Sequence, residues 1–138
     1  MSESNSHAAP GMPLVEVSWG ELIDKITILE IKERRLSSPG AVANVQRELA
    51  ILRAVVRGVG PAEKLAALKA QLTTVNEALW QIEDRIRAKE AANTFDAEFI
   101  DLARSVYRNN DRRSALKREI NLLLKSAIVE EKQYTQYD

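Results

Sequence analysis

The chain has 138 residues, of which 45% are hydrophobic and 29% are charged. This length suits a single domain, and the composition is that of a soluble globular protein: too apolar for a disordered chain and too often charged for a membrane-spanning one. Twenty basic residues balance twenty acidic residues, so no overall field attracts the chain to nucleic acid or to an anionic membrane. We therefore expect a folded protein without a membrane span and without specific nucleic-acid binding.

Cysteine is absent and histidine occurs once, at His7, within a polar N-terminal stretch. Disulfides, thiolate nucleophiles, zinc sites and imidazole bases are therefore not expected, and a metal would have to be a hard cation held by carboxylates. We predict a disordered tail over residues 1–13, one domain over residues 14–138, and no cofactor. The tail also lacks the apolar core of a secretory signal, so the expected location is the cytoplasm.

The first helix is predicted from its start signal. The sequence SWGE at 18–21 fits a capping box, because the Ser18 oxygen can accept from the Glu21 amide while the Glu21 side chain reaches back. The helix is predicted from Trp19 to about Leu36. It carries two inward-facing stripes, so it should be covered on two sides, and Asp24 lies on one of them.

The second helix is bounded by glycine and proline. The sequence SSPG at 37–40 predicts a cap at Ser38 with Pro39 at the first helical position, and GVGP at 58–61 ends the helix after about Arg57. Apolar residues recur between them at spacings of three and four, at Val42, Val45, Leu49, Leu52 and Val56. We expect this helix to fold back along the start of the third.

Two longer helices follow, in a stretch without glycine or proline. The third has an apolar residue at alternating spacings of three and four, at Leu65, Leu68, Leu72, Val75, Leu79, Ile82 and Ile86. The sequence NTF at 93–95 breaks the pattern, and Thr94 can cap the fourth helix. The sequence thus predicts an all-α antiparallel bundle of about four helices with a long coiled-coil-like hairpin. The last residues, 128–137, should either pair as a short strand or lie along the bundle.

Polar residues interrupt the apolar stripe of the fourth helix. Asn110, Arg113 and Lys117 lie within roughly 40° of the Val106 face, so they should point inward toward the middle of the third helix. There a flanking stripe contains Asn76, Trp80, Glu83 and Arg87. Buried cations need partners, which leaves two interpretations.

The first interpretation is a structural ion network, in which Asp24 and Glu83 pair with Arg113 and Lys117. The second is an anion pocket, in which the two cations bind a carboxylate or phosphate between walls formed by Trp80 and Tyr107. The candidate ligand-binding residues are Glu21, Asp24, Trp80, Glu83, Arg87, Tyr107, Asn110, Arg113 and Lys117. The expected function is a small interaction or anion-binding module. The alternative is an enzyme that uses carboxylates and Arg or Lys on an anionic substrate of phosphorylated or nucleotide type.

Four sequence blocks carry a family resemblance. They are GELIDKITILEIK at 20–32, NEALWQIEDRIR at 76–87, EFIDLARSVYRNNDRRSALKREIN at 98–121 and VEEKQY at 129–134. The blocks resemble those of an uncharacterised bacterial family of short helical proteins, classed as a domain of unknown function. The resemblance spans nearly all of residues 14–134, and it implies no activity, cofactor or catalytic residue.

Unequal helix lengths predict an uncovered surface. The last two helices are about 45 Å long and the first two about 27 Å, so the far end of the hairpin extends past them. Its stripe of Ile82, Ile86, Phe99 and Leu102 would then have one side in water, which is typical of a partner surface. A two-fold homodimer is the simplest solution. The alternative is that the C-terminal segment folds over the tip.

Overall fold

The computed structural model describes residues 11–127 and 130–137, which contain four helices and no strand. The helices are α1 (Trp19–Arg35), α2 (Pro39–Val56), α3 (Ala62–Ala91) and α4 (Ala97–Leu123). The predicted all-α fold is confirmed, and the ends of α1 and α2 lie within one residue of those predicted. Most of the predicted tail, including His7, lies outside the described residues. None of the described helices combines the length and apolarity needed to cross a bilayer.

The caps of the first two helices use the predicted serines. The Ser18 Oγ accepts from the Glu21 amide at 3.1 Å, and the Ser38 Oγ accepts from the Ala41 amide at 3.4 Å. The other half of the predicted capping box is not formed. The Glu21 carboxylate instead accepts from Lys117 of α4, because a buried ammonium is a stronger donor than an amide near solvent.

The turn between α3 and α4 differs from the prediction in its cap. Asn93 adopts a left-handed conformation with φ 53°, and the Thr94 amide donates back to the Lys89 carbonyl at 2.9 Å. Thr94 therefore belongs to the end of α3. Asp96 caps α4 by accepting from the Phe99 amide at 2.9 Å. The prediction of Thr94 as the cap is wrong: Thr94 closes the end of α3, so the cap of α4 lies two residues later, at Asp96.

α1 is the central helix and packs against each of the other three. α3 and α4 form an antiparallel hairpin on one side of it, and α2 lies along its other side. The core consists of Leu22, Ile23, Ile26, Leu29, Val45, Leu49, Leu65, Leu72, Val75, Leu116 and Ile120. The expectation that α2 folds back along α3 is wrong: because α1 is apolar on two sides, it accepts α2 on one and the hairpin on the other.

A carboxylate on α1 ties α2 to α3 across this arrangement. Glu30 accepts from Arg53 of α2 at 2.9 Å and from Lys69 of α3 at 3.1 Å. Burial raises the pKa of Glu30, but the hydrogen bonds from the two cations outweigh burial and hold the pKa below its usual value. The stabilising effect is therefore present above the ordinary Glu pKa, about 4.3, and is lost as the pH falls through the lowered folded-state value.

We expect Glu30→Gln to reduce the pH dependence of stability. At about pH 7 the variant should lose about 1 kcal/mol of unfolding free energy, and this difference should shrink at about pH 3.5, where the same carboxylate is mostly protonated in the unfolded wild-type chain. Urea unfolding at both pH values measures the effect. Glu90→Gln, at an exposed position of α3, serves as the control and should follow the wild type. An identical pH dependence in Glu30→Gln and wild type would contradict this role.

The start of α1 lies directly against the end of α4. The Gly20 amide donates to the Asn121 Oδ1 at 2.7 Å, and the Trp19 amide donates to the Ser126 Oγ at 2.9 Å. Two side chains, one in the last turn of α4 and one just after it, thus satisfy amides that helix geometry leaves unpaired. A Cβ at Gly20 would lie 2.4 Å from the Lys117 carbonyl oxygen, so this approach of the two backbones requires glycine.

We predict that Gly20→Ala costs about 2 to 3 kcal/mol of stability, because the backbone of α4 has to move. Gly40→Ala is the matched control. It also lies in the first turn of a helix, but its nearest neighbour would be the Ser38 Oγ at 4.0 Å, so it should be neutral or stabilising by up to about 1 kcal/mol. Chemical unfolding compares them, and equal stability of the two variants would refute the close contact.

The distal part of the hairpin, residues 77–115, is called the distal arm. None of its residues is buried, whereas α1, α2 and the remaining parts of α3 and α4 each contain buried residues. The C-terminal residues 130–137 lie along α4, as one of the two predicted alternatives stated. Their side chains contact α4 between Tyr107 and Arg118, so the segment lies beside the middle of α4 and not over the hairpin tip.

Candidate functional site

The centre of the molecule holds a buried carboxylate. Asp24 of α1 has only 1% of its surface exposed. Its Oδ1 accepts from the Arg113 Nε at 3.0 Å and from the Asn76 Nδ2 at 2.9 Å, and its Oδ2 accepts from the Arg113 Nη2. One side chain from each of α1, α3 and α4 meets here. The inward orientation predicted for Arg113 is thereby explained, since its guanidinium is the counter-ion of Asp24.

Thr27 completes this network. The second Asn76 Nδ2 hydrogen donates to the Thr27 Oγ1 at 2.8 Å, and the Thr27 hydroxyl donates to the Asp24 carbonyl at 2.7 Å. Thr27 was not among the residues predicted from sequence. Its position three residues after Asp24, one turn along the same helix, is the signal that could have indicated it. The hydrogen bond with Asp24 raises the pKa of Arg113 further above its usual range, so the guanidinium stays charged at any ordinary pH.

A second ion cluster lies one turn further along α4. The Lys117 Nζ donates to the Glu21 Oε2 at 2.9 Å and to the Glu130 Oε1 at 3.1 Å. Burial lowers the pKa of Lys117, but the hydrogen bonds to the two carboxylates outweigh it and leave the pKa raised. Lys117 is buried, as predicted, and one of its partners comes from the C-terminal segment.

Glu83 is not part of either cluster, although it was predicted to be. Its carboxylate accepts from Arg87, one turn further along α3, at 3.1 Å, and both side chains are mostly exposed. The reason is the place where α1 crosses the hairpin: Asp24 meets α3 at Asn76, two helical turns before Glu83. Beyond the crossing, α1 lies beside α3 on that side only as far as Trp80, which faces Arg35 near the end of α1.

An open groove of about 430 Å³ occupies that side. Its apolar walls come from α1 and α3, its inner end is polar and its rim is charged; the lining residues are Ile28, Ile31, Asn76, Leu79, Trp80, Glu83, Asp84, Arg87 and Arg113. The guanidinium of Arg35 lies 5.8 Å from the centre of the Trp80 ring and is bound to Glu77 at 3.0 Å. Trp80 therefore lies at the edge of the groove beside a cation that is already paired.

The predicted ligand residues are distributed over three places. Trp80, Glu83, Arg87 and Arg113 line the groove, with Asp24 beneath Arg113. Glu21 and Lys117 form the second ion cluster. Tyr107 packs edge-on against Tyr137 of the C-terminal segment, with ring centres 4.9 Å apart, and Asn110 is half-buried. Among residues 11–127 and 130–137, no group of three or more carboxylate or histidine side chains is placed to hold a metal ion.

A comparison with known protein families assigns the chain to a family. A family model described as a family of unknown function, DUF6165, matches residues 13–137. The chain belongs to the DUF6165 family. The matched region includes all four helices and the C-terminal segment of this DUF6165 protein, and the family resemblance noted in the sequence blocks is confirmed. Searches of curated proteins and of solved structures gave no significant match.

We predict that Arg113→Met destabilises the DUF6165 protein by about 3 to 5 kcal/mol, because it leaves the buried Asp24 carboxylate without its counter-ion. Arg112→Met is the control, since Arg112 is exposed and bonded to Gln71, and it should change stability by less than about 0.5 kcal/mol. Urea unfolding measures both. An unchanged or raised stability in Arg113→Met would mean that Arg113 is held for a ligand and not for Asp24.

Proposed function

We propose that this DUF6165 protein is a helical interaction module whose distal arm, residues 77–115, binds a partner. The observation that carries the proposal is that the arm has a regular apolar stripe and no buried residue. Leu79, Ile82, Ile86, Phe99, Leu102 and Val106 are all half-buried. A pair of helices covers one side of such a stripe and leaves the other in water, and uncovered apolar surface of this kind is typical of interfaces.

Further apolar side chains extend the surface at the tip. Phe95 and Ile100 are 54% and 55% exposed, and the Phe95 and Phe99 rings pack edge to face with centres 5.2 Å apart. Aromatic side chains contribute strongly to protein interfaces because they bury a large area with few rotatable bonds. The apolar surface thus continues from the stripe to the loop that joins α3 to α4.

The charges beside the stripe are paired within the arm. Arg85 binds Glu98, and Lys89 binds Asp96 and Glu98 at 2.8 Å each. Hydrogen bonds with these cations hold the pKa values of Asp96 and Glu98 below their usual range. A surface that is apolar and locally neutral requires no charged partner. A second copy of the chain satisfies this condition, and two arms related by a two-fold axis would form a four-helix bundle.

The inward-pointing cations support this proposal over an anion-binding site. Arg113 donates two hydrogen bonds to Asp24, and Lys117 is bonded to both Glu21 and Glu130. Each cation already has at least one carboxylate, so neither region has an excess of positive charge to offer a substrate. For the same reason an enzyme acting on an anionic substrate is the weaker alternative. The cytoplasm remains the proposed location.

We expect the wild-type protein to be a dimer at micromolar concentration and Ile86→Glu to be a folded monomer, because a charge in the centre of the stripe cannot be buried. Ala88→Glu, on the exposed side of the same helix, is the control and should stay dimeric. Light scattering gives the mass, and circular dichroism confirms that each variant is helical. A wild type that is monomeric at high micromolar concentration would overturn the proposed dimer.

A further inference from the structure

The C-terminal segment of residues 130–137, here called the strap, is a second surface with a defined chemistry. It forms neither helix nor strand, and all eight of its residues are exposed. It is nevertheless attached to α4 at two places. This combination of little burial with specific anchors is expected for a segment that can be exchanged for another chain.

The first anchor is ionic. The Glu130 Oε1 accepts from Lys117 at 3.1 Å, and both Glu131 carboxylate oxygens lie 3.4 Å from the Arg118 Nη1. The hydrogen bond from Lys117 holds the pKa of Glu130 below its usual range, so this carboxylate is ionised at neutral pH. Arg118 is 52% exposed and Glu131 is 77% exposed, so salt should weaken their contact.

The second anchor is aromatic. The Tyr137 hydroxyl donates to the Asp111 Oδ2 at 2.8 Å, and its ring packs against the Tyr107 ring. Tyr137 follows Glu130 by seven residues. The two anchors therefore require an extended chain with carboxylates at one end and an aromatic hydroxyl at the other.

A cavity of about 190 Å³ lies between the strap and α4 at the first anchor. α4 contributes two cations, a hydroxyl and an amide, and the strap contributes two carboxylates and one ammonium; the lining residues are Ser114, Ala115, Lys117, Arg118, Asn121, Glu130, Glu131 and Lys132. Since Glu21 remains bonded to Lys117, removal of the strap would leave a buried ammonium with unused donor capacity beside Arg118. Such an arrangement accepts carboxylates.

We propose that the strap is an internal occupant of a peptide-binding site on α4, and that the site binds an extended acidic peptide of a partner protein that carries a tyrosine about seven residues after its first carboxylate. The strap and the partner peptide compete for Lys117, Arg118 and Tyr107. Binding of the partner releases the strap. Because the strap competes for the site, it lowers the apparent affinity of the site for the partner peptide. This site is independent of the apolar stripe that carries the proposed dimer.

The probe for this proposal is a fluorescent synthetic peptide with the strap sequence, EEKQYTQY, titrated against full-length protein by anisotropy. We expect the peptide to bind the variant Glu130→Gln/Glu131→Gln at least about tenfold more tightly than wild type, because weakening the internal strap removes the competitor. A control peptide, QQKQYTQY, should bind neither protein. Adding Arg118→Gln to the opened variant should weaken binding measurably; this side chain is half exposed, so the fold should be retained.

Three results would overturn the proposal. They are equal affinity of the peptide for wild type and the opened variant, absence of binding to both, and an affinity that Arg118→Gln leaves unchanged. Adding Tyr107→Ala to the opened variant tests the second anchor and should weaken binding without abolishing it. Because Ile86→Glu leaves the strap site intact, the peptide result stands whether or not the protein proves to be a dimer.

Discussion

Burial of the Asp24 carboxylate is the constraint on which the arrangement of the helices depends. A carboxylate that is 1% exposed has lost its hydration, and it is tolerable only where charged and neutral donors replace water. Here Arg113 comes from α4 and Asn76 from α3, so the carboxylate can be satisfied in only one rotation and one height of α1 against the hairpin. Apolar packing alone would permit α1 to slide or rotate, since leucine and isoleucine stripes are similar along their length.

The position of α1 fixed in this way explains the contrast between the two ends of the molecule. At the Asp24 level, α1 and the hairpin enclose a core, and one turn earlier Gly20 meets the backbone of α4. Past the crossing, α1 ends at Arg35 while α3 and α4 continue, so α1 forms one wall of the groove at Trp80 and does not extend along the rest of the hairpin. The polar network thus determines which apolar surface is covered and which is available to a partner.

The sequence predicted the elements well because their signals are local. Alternating apolar spacings and the caps at Ser18 and Ser38 depend on neighbours within one or two turns. The partners of the elements were predicted less well. An apolar stripe shows which face of a helix is buried but not which helix covers it. Because α1 has two such faces, its stripes do not show that α2 packs against α1 and not against α3. Glu83 was assigned to the network for a similar reason: its distance from Asp24 depends on where α1 crosses α3, a property that no local pattern records.

The two inward cations of α4 have carboxylate partners on different segments of the chain. This difference is the basis for assigning a structural role to Arg113 and a binding role to Lys117. The carboxylate of Arg113 is on a buried residue of α1, and it cannot leave without unfolding the core. Lys117 shares its charge between Glu21 on α1 and Glu130 on an exposed segment. An exchange of anions is therefore energetically accessible at Lys117 and not at Arg113. Sequence reasoning treated both cations as one site, because their spacing of four residues puts them on one face. The segment that carries the carboxylate partner, buried α1 for Arg113 and the exposed strap for Lys117, distinguishes their proposed roles.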